Sequence, residues 1–184
     1  YQGMAALMAP LYEATRGQPP VTIHNGTAAY LPSVPDGTVD LVCMDPPYYN
    51  NVQYAELSDY FYVWQRRTLA DLYPGLYDRR LTDKKAEAVA NPARDGSAAQ
   101  AKAEYERLMG GIFAESRRVL KDDGIFTLMF THKTQDAWET LTRSLIESGW
   151  IITACFPVES EGANSMHQRD MAAAASSIFI ASRK

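Results

Sequence analysis

Residues 41–51 read Leu-Val-Cys-Met-Asp-Pro-Pro-Tyr-Tyr-Asn-Asn, and within them Asp45, Pro46, Pro47 and Tyr48 are residue types that could do chemistry together. A carboxylate accepts hydrogen bonds, and a proline supplies a carbonyl without an N–H. The Asp45 side chain and the Pro46 carbonyl are therefore two neighbouring pure acceptors. The Tyr48 ring beside them offers a flat face to a planar partner. The apolar run before Asp45 is too short for a helix and suits a buried parallel strand. Pro46 and Pro47 end that strand and hold Asp45 in extended geometry. The acid thus lies just past a strand's carboxyl end, where open α/β sheets bind ligands.

The flanking sequence supplies elements that could position this run. Met4, Leu7, Met8, Leu11 and Tyr12 fall at helical spacing, with Gly17 and Pro19-Pro20 as a stop. Val21-Thr22-Ile23 reads as a short strand leading into the polar turn His24-Asn25-Gly26-Thr27. After a turn at Pro35-Asp36-Gly37 comes the strand that ends at Asp45. A helix over 52–67 carries Tyr54, Leu57, Phe61, Tyr62 and Trp64 on one broad face, and Phe61, Tyr62 and Trp64 read as core. Residues 68–102 form an irregular insertion with short helical pieces. A solvated loop is the favoured reading there, although Arg79, Arg80, Lys84 and Lys85 are the local candidates for phosphate contacts.

Tyr105, Leu108, Met109, Ile112 and Phe113 continue into a helix closed by Lys121-Asp122-Asp123-Gly124, and residues 125–130 form a buried strand. The loop Thr131-His132-Lys133 lies on the ligand side of the sheet and reads chiefly as solvated. A helix over 134–148 points Trp138, Leu141, Leu145 and Ile146 inward and is capped by Gly149. Strands over 150–158 and 177–181 flank a polar connection containing Ser165, Met166, His167 and Gln168, expected to be mobile or ligand-dependent. This order predicts an α/β fold with a doubly wound, mostly parallel sheet, whose last two strands a long hairpin makes antiparallel.

Composition narrows the class. A chain of 184 residues, 46% of them hydrophobic, fits a single domain with one core. A net charge of -4 excludes a globally basic nucleic-acid binder, so any such contact must be local or come from elsewhere. Cys43 and Cys155 are far apart and read as reduced thiols of a cytoplasmic protein. With His24, His132 and His167 scattered, no metal-ligand pattern appears. No apolar run reaches the length of a membrane span.

The Asp45-Pro46-Pro47-Tyr48 run resembles the motif of S-adenosylmethionine-dependent amino-methyltransferases specific for adenine N6. Extended through Tyr49-Asn50-Asn51-Val52-Gln53-Tyr54 and on to Trp64, it is similar to the large DNA methylases whose longer members also carry a zinc ribbon. The resemblance runs from about residue 25 to the C-terminus. It implies a partial Rossmann-like sheet of the class I methyltransferase type, spanning residues 1–184 as one catalytic domain. Family members grip the methionine end of the cofactor with a Gly-rich turn after the first strand. None is present here, so the resemblance implies a C-terminal part that begins after the first two strands, with the missing N-terminal part of the same polypeptide as a partner.

By the same resemblance, Asp45 and Pro46 hold the exocyclic amine of adenine in DNA, Pro47 stiffens the turn and Tyr48 stacks on the base. Tyr49, Asn50, Asn51 and Tyr54 either line the base pocket or order the loop. Asn25, Gly26 and Thr27 occupy the place where relatives contact the cofactor's adenine, and a turn without a ligand role fits them equally. Related motifs also occur in enzymes that methylate guanine N2 in RNA, and a non-catalytic interaction module is the remaining alternative. An uncovered sheet edge beside the Asp45 strand raises the expectation of self-association, and the absent turn that of weak cofactor binding by this chain. Defence against phage or restriction-modification is the role the resemblance suggests.

Overall fold

The computed structural model describes residues 2–17, 22–158 and 177–184. Its elements are α1 (Gln2–Thr15), β1 (Val39–Met44), α2 (Tyr54–Leu69), α3 (Pro92–Asp95), α4 (Ala98–Val119), β2 (Leu120–Phe130), α5 (Gln135–Glu147), β3 (Ile151–Val158) and β4 (Ser177–Arg183). Four strands make one mixed sheet in the order β1-β2-β4-β3. Only β1 and β2 pair in parallel, while β4 pairs antiparallel with both β2 and β3. The expectation of a mostly parallel sheet is therefore corrected. The last strand inserts between β2 and β3, so although three strands share one direction, two of the three ladders are antiparallel.

One face of this sheet is finished by α4 and α5. On β2, alternate residues Phe126, Leu128 and Phe130 are fully buried, as a half-covered strand requires. Against them α4 sets Tyr105, Met109 and Phe113, and α5 sets Ala137, Leu141 and Leu145. Each large side chain so buried contributes about 1.5–3 kcal/mol. The Trp150 ring packs on Phe126 at 4.4 Å between centroids, and its indole N–H donates to the Phe113 carbonyl at 3.1 Å. The local signals for α4 are clear. Gly96 at φ +93° ends α3, and the Ser97 hydroxyl accepts from the Gln100 N–H at 3.2 Å to start α4. At the far end of α5, Gly149 takes φ +86°, as anticipated for its cap.

Several expectations change. Thr22 to Asn25 has no regular structure, and no described strand pairs with it. A strand exists only as part of a ladder, so the short apolar run has nothing to complete it. The α2 aromatics also depart from the prediction of core. Leu57, Tyr60, Phe61 and Trp64 are each about 60–70% exposed, because no described element covers that face, and Tyr62 is only half-buried. Ile146 is exposed too. Residues 121–124 form an irregularity within β2, so that Val39 pairs with Leu120 and Leu41 with Ile125. Residues 159–176, including the polar connection and its Ser165, Met166, His167 and Gln168, lie outside the described residues. Among the described residues no helix is long and apolar enough to cross a membrane.

The insertion is largely exposed over residues 71–81, as expected of a solvated loop, but packs from residue 87 on. Ala88, Val89 and Ala90 are buried, and the Ala90 N–H donates to the Tyr49 carbonyl at 2.9 Å. Glu87 accepts from the Ala55 N–H at 2.8 Å, satisfying an orphan donor at the start of α2. Burial pushes its carboxyl above the usual range. Arg94 holds the same stretch through the Val89 and Lys84 carbonyls. Two of the anticipated phosphate ligands have carboxylate partners: Lys84 pairs with Asp59 of α2 at 2.6 Å, and Arg79 with Asp83 within the insertion at 2.5 Å.

Candidate functional site

The β1 strand ends at Met44, and the next residues leave the sheet at its carboxyl edge. Asp45, Pro46, Pro47 and Tyr48, joined by Tyr54 from the first turn of α2, surround one cleft of about 300 Å3. Asp45 is exposed to it, and its Oδ1 accepts from the Tyr48 hydroxyl at 2.6 Å. The Tyr48 ring meets Phe130 edge-on, with centroids 5.4 Å apart, so it is braced against the end of β2. The Pro46 carbonyl takes no hydrogen bond from the described residues. Pro47 is different, since its carbonyl accepts from the Tyr49 N–H at 3.0 Å and from the Tyr105 hydroxyl at 3.1 Å.

The next residues turn inward. Tyr49 has φ +55°, the left-handed region in which a non-glycine residue is strained by roughly 1–2 kcal/mol. Tertiary contacts hold it there: its ring packs edge-on against Tyr105 at 5.2 Å and against His132 at 5.9 Å. Burial, with Asp136 nearby, pushes the Tyr49 hydroxyl above its ordinary value. Asn50 faces His132 Nε2 at 3.2 Å through its Oδ1. The Asn51 N–H donates to the Tyr48 carbonyl at 3.0 Å, and its side-chain Oδ1 is buried with no partner among the described residues. Of the predicted site residues, Asp45 to Tyr48 and Tyr54 therefore share a cleft, whereas Tyr49, Asn50 and Asn51 order the turn behind it.

The solvated reading of residues 131–133 is corrected for Thr131 and His132, which are buried, while Lys133 is exposed as expected. Sequence reasoning also missed Tyr105 and Ala90 as supports of the turn. Periodicity marked Tyr105 as core, and nothing local could reveal that its hydroxyl reaches a carbonyl 58 residues away.

Asn25, Gly26 and Thr27 line a separate cleft of about 500 Å3 with His24, Ala28, Tyr30 and Leu31. The Thr27 hydroxyl is used locally, accepting from the Ala29 N–H at 3.2 Å. Among the described residues no carboxylate lines this cleft to hold ribose hydroxyls, and no Gly-rich turn opens a helix beside it. Its residues thus do not meet what S-adenosylmethionine requires, beyond a hollow that could take a ring. Among the described residues no group of His, Cys, Asp or Glu could hold a metal ion.

No protein-family model and no curated protein matches the chain. Among solved structures it is similar to the PvuII DNA methyltransferase, specific for cytosine N4, at 14% identity and a TM-score of 0.49, over 88% of this chain and 48% of that one. It is also similar to a Thermus thermophilus protein described as a DNA modification methylase, at 13% identity and a TM-score of 0.43, over 86% and 50%. A third is the precorrin-6y C5,15-methyltransferase from Geobacter metallireducens, at 21% identity and a TM-score of 0.28, over 44% and 40%. The chain spans about half the length of the first two.

Proposed function

We propose that this chain carries the acceptor side of the active site of an S-adenosylmethionine-dependent methyltransferase acting on the N6 amine of adenine in DNA. The observation that carries this reading is the cleft lined by Asp45, Pro46, Pro47, Tyr48 and Tyr54, with the Tyr48 hydroxyl on the Asp45 carboxylate. An adenine amino nitrogen is a poor nucleophile because its lone pair is delocalised into the ring. Asp45 and Pro46 each accept one of its hydrogens, which holds the nitrogen pyramidal and aims the lone pair out of the ring plane. The cofactor would supply an electrophilic methyl group when bound. This chain contributes orientation, the main source of rate when two bound reactants meet. Once the nitrogen bears positive charge, its surplus proton passes to Asp45 or to water.

Tyr48 stacks on the base, a contact of about 1–3 kcal/mol, which offsets much of the few kcal/mol needed to flip a base from a duplex. Its hydroxyl occupies Asp45 Oδ1, so Oδ2 is the oxygen left for the amine. The donor requires a grip that the described residues do not provide, and the intact gene product is the form to assay. Labelled S-adenosylmethionine with DNA or RNA, followed by mass spectrometry of the nucleosides, tests the reading. N6-methyladenine in DNA is the expected product. A methyl group on guanine N2 or in RNA would replace the substrate assigned here, and no transfer to any nucleic acid would favour an interaction module.

A further inference from the structure

We propose that His132 is the positioning residue of the turn that carries the acceptor pair: its neutral imidazole, protonated on Nε2, holds Asn50 and through it residues 48–51. This deepens the acceptor-site reading above and rests on it for its functional meaning. The tautomer follows from geometry. The Thr134 N–H can only donate, and it lies 3.1 Å from His132 Nδ1, which must therefore accept. In the neutral ring the proton then sits on Nε2, directed at Asn50 Oδ1 at 3.2 Å. The ring cannot easily swing away. It lies nearly parallel to Phe130 with centroids 6.4 Å apart, and Tyr49 meets it edge-on. Its backbone is fixed as well, because the Trp138 indole N–H donates to the His132 carbonyl at 2.9 Å.

His132 joins three elements at the site. It follows β2, it is tied to the start of α5 through Thr134, and it touches the strained residue Tyr49 and its neighbour Asn50. Protonation of Nδ1 would set a second N–H against that of Thr134 and loosen the tie to α5, while the Nε2–H stays on Asn50. The charged groups around it are Lys133 beside it in sequence, Asp136 on α5, and Lys102 and Glu106 on α4. Asp136, Lys102 and Glu106 act on neighbouring Tyr49, and Asp136 is paired with Lys102. Burial alone lowers His132 below the ordinary histidine value. The sign is therefore fixed: as pH falls below about 6.5 the unfolded chain takes up a proton that the folded ring resists, and the tie from His132 to Thr134 weakens in acid.

The test uses the 184-residue chain and no methyl transfer. Side-chain nitrogen spectra report which ring nitrogen bears the proton, and amide exchange reports the turn. At about pH 7.5 the proton is expected on Nε2. On acidification, protection of the Thr134 amide should fall in step with the His132 titration, while the Leu141 and Leu145 amides stay protected. His132→Phe keeps the ring packing and removes both nitrogen contacts, so that protection at Tyr49 and Asn51 drops roughly tenfold and the pH step at Thr134 disappears. Asn50→Asp gives the imidazolium an anionic acceptor and should move the His132 titration to higher pH. If His132→Phe fails to fold, the wild-type titration and Asn50→Asp decide the matter. A proton on Nδ1, unchanged protection in His132→Phe, or no pH step in the wild type would overturn the proposal. Failure of the intact protein to methylate any nucleic acid would instead remove the function assigned above, and these readouts would still decide what His132 does.

Discussion

The turn at residues 45–51 is held from several sides, by Tyr105 on α4, by Ala90 in the insertion and by His132 beyond β2. The turn at residues 25–30 is held mainly within itself, through Thr27 and the N–H groups of Ala29 and Tyr30. Only past its candidate ligand residues is the second turn anchored, where Glu115 accepts from the Leu31 N–H at 2.7 Å and Arg118 donates to the Leu31 carbonyl at 3.0 Å. Hydrogen bonds from Arg118 hold the Glu115 carboxyl down at about 2, so this anchor stays charged across the neutral range. The difference teaches where a pre-organised site exists in this chain. Residues 45–51, to which the acceptor role is proposed, are locked by groups distant in sequence, as a site precise to fractions of an ångström requires. The Asn25 to Thr27 cleft has no such support.

This contrast can be broken or sharpened by substitution. The largest effect is expected from Tyr105→Ala, which removes a fully buried ring along with the hydrogen bond to Pro47. Denaturant unfolding should show a loss of about 3–5 kcal/mol. Asp45→Ala should leave stability within about 0.5 kcal/mol, because the side chain is exposed. It should nonetheless reduce methyl transfer by the intact protein roughly 100- to 1000-fold, the usual cost of deleting one oriented polar group. Tyr48→Ala should weaken binding of a single-stranded oligonucleotide by about 1–3 kcal/mol, with Tyr48→Phe retaining most of it, as titration calorimetry can measure. At the other turn, Thr27→Ala should change stability by less than about 0.5 kcal/mol and transfer by less than about twofold. A large effect there would mean that the less supported turn is the working one.

The smallest expected effect concerns Glu87, behind the held turn. Burial raises its folded pKa, so the folded chain binds the proton more readily than the unfolded chain and the carboxylate costs stability as pH rises through that window. Glu87→Gln keeps a carbonyl for Ala55 and should raise Tm slightly at neutral pH. The gain should vanish in acid, once the wild-type carboxyl is protonated.

Much of this molecule was legible in the sequence where the signal is local. The apolar run before Asp45 gave β1, although at the edge of the described sheet with Leu41 and Cys43 exposed rather than as a buried strand; the spacing of Tyr105, Met109 and Phe113 gave the buried face of α4, and Gly149 marked the end of α5. The antiparallel pairing of the last two strands was legible too. What failed depended on partners far along the chain. Helical periodicity in α2 identified an apolar face but not whether anything covers it, and Phe61 and Trp64 are bare. The run through Thr22 and Ile23 had strand-forming residues, and among the described residues no ladder takes it in. At the site, the Asp-Pro-Pro-Tyr run was visible by composition, whereas Tyr49 at positive φ was not, since only tertiary contacts to Tyr105, Ala90 and His132 hold an aromatic residue there.

The central claim is that the Asp45 and Pro46 acceptors select an exocyclic amine. Its most direct test compares binding of two single-stranded oligonucleotides, identical except that one carries adenine and the other hypoxanthine, whose C6 substituent is a carbonyl. The acceptor pair predicts that adenine binds at least roughly tenfold tighter, and that Asp45→Ala erases most of the preference. Equal affinity for the two bases, or a preference that survives Asp45→Ala, would contradict it.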